Sequence, residues 1–237
     1  QRFIRWEFWP WRVVYLPVAV YWFFLAIRAK GWVFFSAANP CMRFGGLLGY
    51  SKTKVHQLVP DNYLPKTIYL DGGLISIDTV LEQIKASGIS FPLIVKPDVG
   101  ERGRGVKIVK TEQDLAQALT DKSGKLLVQQ YEDLPMELGV MYSRHPDEEI
   151  GKITSIVVKE FPTVIGDGSK TLLQLILANL RTRLSYKVHL KRFAHRLSEV
   201  PAKGEAVQIV HIGNHMLGTT LFNGNHLIDT EIEFVFD

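Results

Sequence analysis

At 237 residues, 46% hydrophobic and 22% charged, the chain can bury a sizeable core in one large domain or two small ones, and it is not of the disordered class. Its single cysteine, Cys41, excludes an internal disulfide framework and a multi-cysteine zinc site; it is expected as a small buried apolar residue without a catalytic role, in keeping with a reducing cytoplasm. The net charge of +4 is localised: residues 1–35 carry Arg2, Arg5, Arg12, Arg28 and Lys30 against Glu7, and the rest sums to zero, so no basic patch on a folded domain points to nucleic acid.

All five tryptophans (Trp6, Trp9, Trp11, Trp22, Trp32) fall in that same basic segment. Residues 13–27 form an uncharged run of 15, short of the ~20 apolar residues of a membrane-crossing helix. Pro17 suits a first turn, Arg28 and Lys30 a last turn, and Gly31 a C-terminal cap, which predicts a helix over 17–30. Apolar nearly all round, it belongs either inside protein or in a membrane interface, where tryptophans and cations gather. A signal peptide would need a small-residue cleavage site, for which Ser36 to Asn39 is a faint candidate.

Residues 36–65 read as loop. Beyond Pro65 strands and helices alternate. IDTVLEQIKAS (77–87) has helical spacing and stops at Gly88, FPLIVKP (91–97) is a buried strand, and GVKIV (105–109) is another. TEQDLAQAL (111–119) is a helix opened by Thr111 with Asp114 three residues on. LLVQQY, ELGVMYSR and ITSIVVKE read as strands and TLLQLILANL as a helix. AVQIVHI and GTTLFNG read as a hairpin-like pair, and IDTEIEF as a strand with Asp229, Glu231 and Glu233 on one face.

The most specific stretch is FPLIVKPDVGERGRGVKIV, residues 91–109. A buried strand ends at Lys96, and a loop with Gly100, Gly103 and Gly105 returns into a second strand. Glycines let backbone amides approach phosphate oxygens, while Lys96, Arg102 and Arg104 add charge. The loop leads into a strand, which rules out a dinucleotide fingerprint, and GDGSKT (166–171) has Ser169 where a P-loop needs glycine. A plain hairpin turn would account for the glycines but not for the strand-terminal lysine and two arginines.

On these residues the sequence resembles the ATP-grasp superfamily, especially D-alanine–D-alanine ligase and the ATP-grasp part of cyanophycin synthetase, over roughly residues 60–237. The resemblance implies an α+β fold in which two subdomains, about 65–130 and 131–237, clasp ATP behind a 1–64 aromatic, basic N-terminal segment. It implies that Lys96 contacts adenine and α-phosphate, that the Gly100, Arg102, Gly103, Arg104 and Gly105 loop covers the β- and γ-phosphates, and that Lys66 in LPKT also reaches them. LLVQQYEDLPMELGV resembles the hinge, with adenine on the backbone around Gln130, Tyr131 and Glu132. Glu137, seven residues after Gln130, falls where the family has a ribose-binding acid, the alternative being a solvated strand residue. Lys159 matches the lysine of the family's later strand that meets the triphosphate, with an exposed strand lysine as its alternative; Arg104 and Lys159 would carry catalysis by neutralising phosphoryl charge. Arg144 and Arg192 could bind an acidic substrate or the γ-phosphate, but each reads first as a solvated arginine.

The implied activity is an ATP-dependent carboxylate–amine ligation through an acyl phosphate, with ATP, Mg2+ and small-molecule acid and amine as partners. The alternatives are a membrane-associated nucleotide-binding or scaffold protein and an ATP-grasp phosphotransferase. The implied location is the cytoplasm, with residues 1–35 offering contact to an anionic membrane surface on its inner face. No metal ligand is assigned. His145, His189, His195, His211, His215 and His226 lack metal spacing, and the late acids Asp229, Glu231, Glu233 and Asp237 lack the family's E-x-N pattern. The expectation is that the metal-binding end lies beyond Asp237 and that these 237 residues bind nucleotide without turnover.

Overall fold

The computed structural model describes residues 9–72, 76–101, 103–120, 124–210 and 218–236. Two compact units divide the chain, one holding Trp11–Asp133 and the other Leu134–Asp237.

The first unit opens with α1 (Trp11–Arg28), which starts earlier than its sequence pattern predicts and carries Pro17 in its interior rather than its first turn. Its end is a Schellman turn: the Gly31 amide donates to Ala26 O and the Lys30 amide to Ile27 O. The left-handed residue is Lys30, at φ 51°, so the predicted cap glycine sits one position too late. Core burial of this helix is not what the structure shows. Among its described side chains only Ala26 is buried, while Leu16, Val20 and Ile27 are 60–67% exposed. Among the described residues no helix is long and apolar enough to cross a membrane. Cys41, expected inside, is exposed.

Short 3-10 turns and a five-residue helix, α2 (Lys52–His56), occupy the stretch expected as loop. Ser51 caps α2 by accepting the Lys54 amide. A four-stranded antiparallel sheet follows in the order β1 (Thr67–Leu70), β4 (Leu126–Gln130), β2 (Leu93–Pro97), β3 (Lys107–Val109). α3 (Ile77–Ser87) is capped by Ser76 and closed by Gly88 at φ 63°. α4 (Glu112–Thr120) opens with a reciprocal box in which the Asp114 amide donates to Thr111 Oγ1 and the Thr111 amide to Asp114 Oδ2. Val80 and Ile84 of α3 and Leu115 and Ala118 of α4 recur at helical spacing. They pack with Ile68, Leu70, Val95 and Val128 into one core, so both helices cover the same sheet face.

In the second unit β5 (Glu137–Ser143), β6 (Lys152–Glu160) and β9 (Thr220–Asn223) form one antiparallel sheet, and β7 (Thr163–Ile165) pairs with β8 (Ala206–Gln208). The expected 206–224 hairpin is therefore not formed. Its strands exist, but each takes a partner from upstream, Ala206 opposite Ile165 and Asn223 opposite Val157. α5 (Leu172–Ala178), with a Thr171/Gln174 capping box, α6 (Leu180–Leu184) and α7 (Tyr186–Arg192) follow. Leu172, Leu175 and Ile176 pack on Val164, Phe193, Val207 and Ile209 as a second core. The stretch expected as an IDTEIEF strand is instead a helix, α8 (Thr230–Phe236). Asp229 accepts the Ile232 amide at 2.8 Å, the bond an N-cap makes to the third helical residue, and so starts a helix where side-chain alternation suggests a strand.

Candidate functional site

The sheet of the first unit has two faces. Ile68, Val128 and Val95 lie in one register row and enter the core, so by alternation the rows Thr67–Gln129–Ile94 and Tyr69–Leu127–Lys96 face the other way. On that second face Lys96 Nζ donates to Gln129 Oε1 at 2.8 Å, Gln129 Nε2 donates to Thr67 Oγ1 at 2.7 Å, and Thr67 Oγ1 donates to Pro65 O at 2.7 Å. The relay crosses three strands and holds the lysine head in place. Burial, then the Lys52 ammonium, lowers the Lys96 pKa, and among the described residues no carboxylate pairs with it. The lysine is thus a partly buried cation held by neutral groups beside a second cation, an arrangement whose charge an anion would relieve.

Lys52, which sequence reasoning missed, builds the loop beside it. Its ammonium donates to the carbonyls of Pro97 (3.0 Å), Asp98 (3.1 Å) and Gly100 (3.0 Å), and its amide donates to Asp98 O at 3.1 Å. The next amide, Thr53, donates to Asp98 Oδ1 at 2.8 Å. Asp98 is buried; burial pushes its carboxyl up, but the Thr53 amide, the Ser51 and Thr53 hydroxyls and Lys52 outweigh it and hold the pKa below its ordinary value. The short helix α2 thus fastens the root of the glycine-rich loop. His56, at the other end of α2, hydrogen-bonds through Nδ1 with the Tyr69 hydroxyl at 3.0 Å, the rings edge to face. Burial first, then Lys96 and Lys52, hold this imidazole below its ordinary pKa against the opposing pull of Asp98.

The loop itself turns through Gly103 and Gly105 at φ 70° and 73°, a conformation that side-chain-bearing residues rarely adopt. Gly100 is not left-handed; a Cβ there would lie 3.0 Å from Pro97 Cγ, and its carbonyl accepts from Lys52. Arg104 is exposed, its amide closing the turn onto Glu101 O at 3.0 Å. Arg102 lies outside the described residues, as do Arg2, Arg5, Trp6, Glu7, His211, His215 and Asp237.

Other expected residues are placed differently. Lys66 precedes Thr67 and is thrown to the helix-covered side, where its ammonium lies 3.5 Å from where a Cβ on Gly88 would be, at the C-terminal end of α3. The structure does not bring it together with Lys96. At the expected hinge, the Gln130 amide donates to Lys66 O at 2.9 Å and the Tyr131 amide to Pro92 O at 3.4 Å, while the Gln130 side chain is engaged with both backbone groups of Ser90. Those two amides are occupied within the first unit, and Glu132 follows them. Arg144 donates to Glu149 O at 3.4 Å and Arg192 to Ile209 O at 3.3 Å, both from exposed positions.

In the second unit Glu137 and Lys159 stand directly opposite each other on β5 and β6 and form an ion pair, so two residues expected to touch nucleotide share one sheet face. The GDGSKT loop is self-satisfied: Asp167 Oδ1 accepts the Ser169 and Lys170 amides and Oδ2 pairs with Lys170 Nζ at 2.7 Å. The Lys170 side chain first, then those amides, drives the Asp167 carboxyl far below its usual range, and the loop presents no unneutralised lysine. Among the described residues no three His, Cys, Asp or Glu side chains are grouped to hold a metal ion. Glu231 and Glu233 belong to a helix and Asp229 is its cap, so the donor set described does not fit a protein-held magnesium.

A cationic strand end, a lysine-fastened glycine loop and an antiparallel sheet covered by two helices come together in this α+β unit. Residues 51–140 match the RimK-like ATP-grasp domain, a stretch running from the cap of α2 into β5, and the resemblance seen in the glycine loop holds there. Solved structures with likeness include a bifunctional glutathione synthetase from Pasteurella multocida (14% identity, 77% of this chain, 26% of that one, TM-score 0.35). Others are D-alanine–D-alanine ligase from Helicobacter pylori (20%, 46%, 32%, 0.35) and the VanG D-Ala:D-Ser ligase from Enterococcus faecalis (19%, 55%, 34%, 0.38). The chain covers about a quarter to a third of each of these proteins. No curated protein sequence matches it.

Proposed function

We propose that the chain is the nucleotide-binding part of an ATP-dependent carboxylate–amine ligase, in which the γ-phosphoryl group of ATP is passed to a carboxylate and the resulting acyl phosphate is captured by an amine. The observation that carries the reading is the Lys96 ammonium, partly buried, unpaired by any described carboxylate and next to a glycine loop fastened by Lys52, inside the stretch that matches an ATP-grasp domain. Lys96 would hold phosphate oxygens as a point charge, and the Gly100, Gly103, Arg104 and Gly105 loop would offer amides and charge to the outer phosphates. Glu132 and the chain after it would meet the base edge, Glu137 would accept from the ribose hydroxyls, and Lys159 would neutralise the phosphoryl group in flight. Since Glu137 and Lys159 pair with each other, nucleotide binding would exchange that pair for contacts to ribose and phosphate. No step runs through a metal held by these residues.

The test combines calorimetric titration with ATP and an ADP-release assay on the full-length protein with candidate acids and amines. ATP binding together with ADP release that needs both an acid and an amine supports ligation. ADP release with an acceptor but no amine would mean phosphotransfer, and binding without release under every acceptor pair would mean a nucleotide-binding module; either result overturns the ligase reading.

A further inference from the structure

We propose that α1 is a docking element for an anionic lipid surface, lying in the bilayer interface with its aliphatic and phenylalanine stripe inserted. The inference is independent of the enzymatic reading. At 3.6 residues per turn, Val13, Leu16, Val20, Phe23, Phe24 and Ile27 fall on one stripe of the helix, and all of them are 51–67% exposed. The opposite side carries Tyr15, Tyr21 and Trp22 among Val14, Val18 and Leu25, so the helix is apolar nearly all round and its polar atoms there are the aromatic tips. Aromatic side chains with a polar tip are suited to the headgroup layer, and aliphatic ones to the acyl boundary beneath it. Eighteen residues give a rod roughly 27 Å long that can lie in the interface plane, whereas no described helix is long and apolar enough to cross.

The distribution of charge selects lipid over a protein groove. Between Phe8 and Pro60 the sequence has no aspartate or glutamate, while Arg12, Arg28, Lys30, Arg43 and Lys54 lie within it, besides Lys52, which is engaged with the glycine loop. Arg12 and Arg28 flank the apolar stripe at its two ends, and the Arg28 guanidinium lies over the Phe24 ring, 6.0 Å from its centroid. Cations at both ends of an inserted stripe meet phosphate headgroups at its two ends. The Schellman turn folds Trp32 back against Trp22 and Phe23, with ring centroids 5.8 and 5.7 Å apart, and Phe34 adds a second partner to Trp22 at 6.2 Å. This cluster makes the helix end a stiff aromatic wedge at headgroup depth. Leaving these groups in water is costly, and an anionic membrane surface answers both their apolarity and their charge.

The experiment is flotation of the purified protein with vesicles of phosphatidylcholine alone or with about one third phosphatidylglycerol, a fraction sufficient for a negative surface potential. The expected result is recovery with the anionic vesicles, a blue shift of tryptophan emission on binding, and loss of recovery as sodium chloride rises from about 0.1 to 0.5 M. Arg12→Gln with Arg28→Gln lowers the partition coefficient about fivefold per cation removed. Leu16→Ser, Val20→Ser and Ile27→Ser together abolish recovery; these side chains are exposed, so far-ultraviolet circular dichroism stays that of the parent. A folded parent that never floats overturns the proposal, as does a triple variant that floats as well as the parent. So does light scattering that shows the parent paired through this stripe, the triple variant monomeric, and neither bound to lipid.

Discussion

Lys96→Met separates a binding role from a structural one, because the two predict opposite behaviour in the nucleotide-free protein. The substitution keeps the apolar stem, removes the ammonium, and leaves Gln129 Oε1 without the donor 2.8 Å away. An acceptor so stranded costs about 1–3 kcal/mol. Against this, the variant no longer holds a partly buried cation beside Lys52. The net change in unfolding free energy should lie within about 1 kcal/mol of zero. ATP binding should weaken by about 1.5–3 kcal/mol, the worth of a hydrogen bond to a charged group, or roughly 10- to 150-fold in Kd. The pH dependence has a definite sign. Since the folded pKa lies below that of the unfolded chain, the unfolded chain holds more protons in the window between them, and the parent gains stability as pH rises through that window just below the ordinary lysine range. The variant lacks this slope. Urea melts across pH and ATP calorimetry at fixed salt measure all three quantities. Unchanged ATP affinity, or a loss of more than about 3 kcal/mol without nucleotide, would refute the reasoning and make Lys96 a structural residue.

Lys52→Met removes an ammonium that donates to three carbonyls at the root of the glycine loop; it should cost about 2–3 kcal/mol in urea melts and speed amide exchange of the loop, changes a mere surface lysine would not show. The Asp98 carboxyl has a depressed folded pKa, so its contribution is present above the ordinary carboxylate value and lost as pH falls through the folded one. Asp98→Ala should therefore destabilise at pH 7 by about 1–2 kcal/mol and differ little from the parent in strong acid. Glu137→Gln breaks a half-exposed ion pair and should change stability by less than about 1 kcal/mol, while weakening ATP more than it weakens a nucleotide analogue without ribose hydroxyls. Equal weakening of both nucleotides would remove Glu137 from the ribose.

The elements that could be read from sequence are those whose local chemistry and burial pattern agree. In α3 the Ser76 cap, the Val80 and Ile84 spacing and the left-handed Gly88 all specify the same helix, and in α4 the Thr111/Asp114 box and Leu115 do likewise. Where two signals conflict, the misreadings occur. EIEFVF alternates like a strand and is rich in strand-favouring side chains, yet Asp229 supplies a helix cap three residues ahead of Ile232. The segments around Ala206 and Thr220 were legible as strands, but pairing is a non-local choice. With β7 and β6 already presenting edges, each segment bonded upstream rather than to its neighbour.

Within the site, the same division between local and distant information applies. Lys96, Gly103 and Gly105 stood out because a strand, its terminal lysine and its turn glycines lie within fifteen residues, and the turn requires left-handed backbone at both glycines. Lys52 gave no comparable signal: its carbonyl partners are 45 to 48 residues away, and its short helix carries no apolar periodicity to betray it. Ser51 followed by two lysines was the one available cue, a helix cap with cations in its first turn, where the helix dipole disfavours positive charge. A lysine placed against that dipole needs compensating acceptors, and the carbonyls of Pro97, Asp98 and Gly100 are those acceptors. Lys66 illustrates the converse, since a lysine close in sequence to the site strand is removed from it by strand parity. Thr67 takes the Lys96 face, and the residue before it must take the face covered by α3. The resemblance to a family pointed at lysines by position, whereas the fold sorts them by which face of one sheet they share.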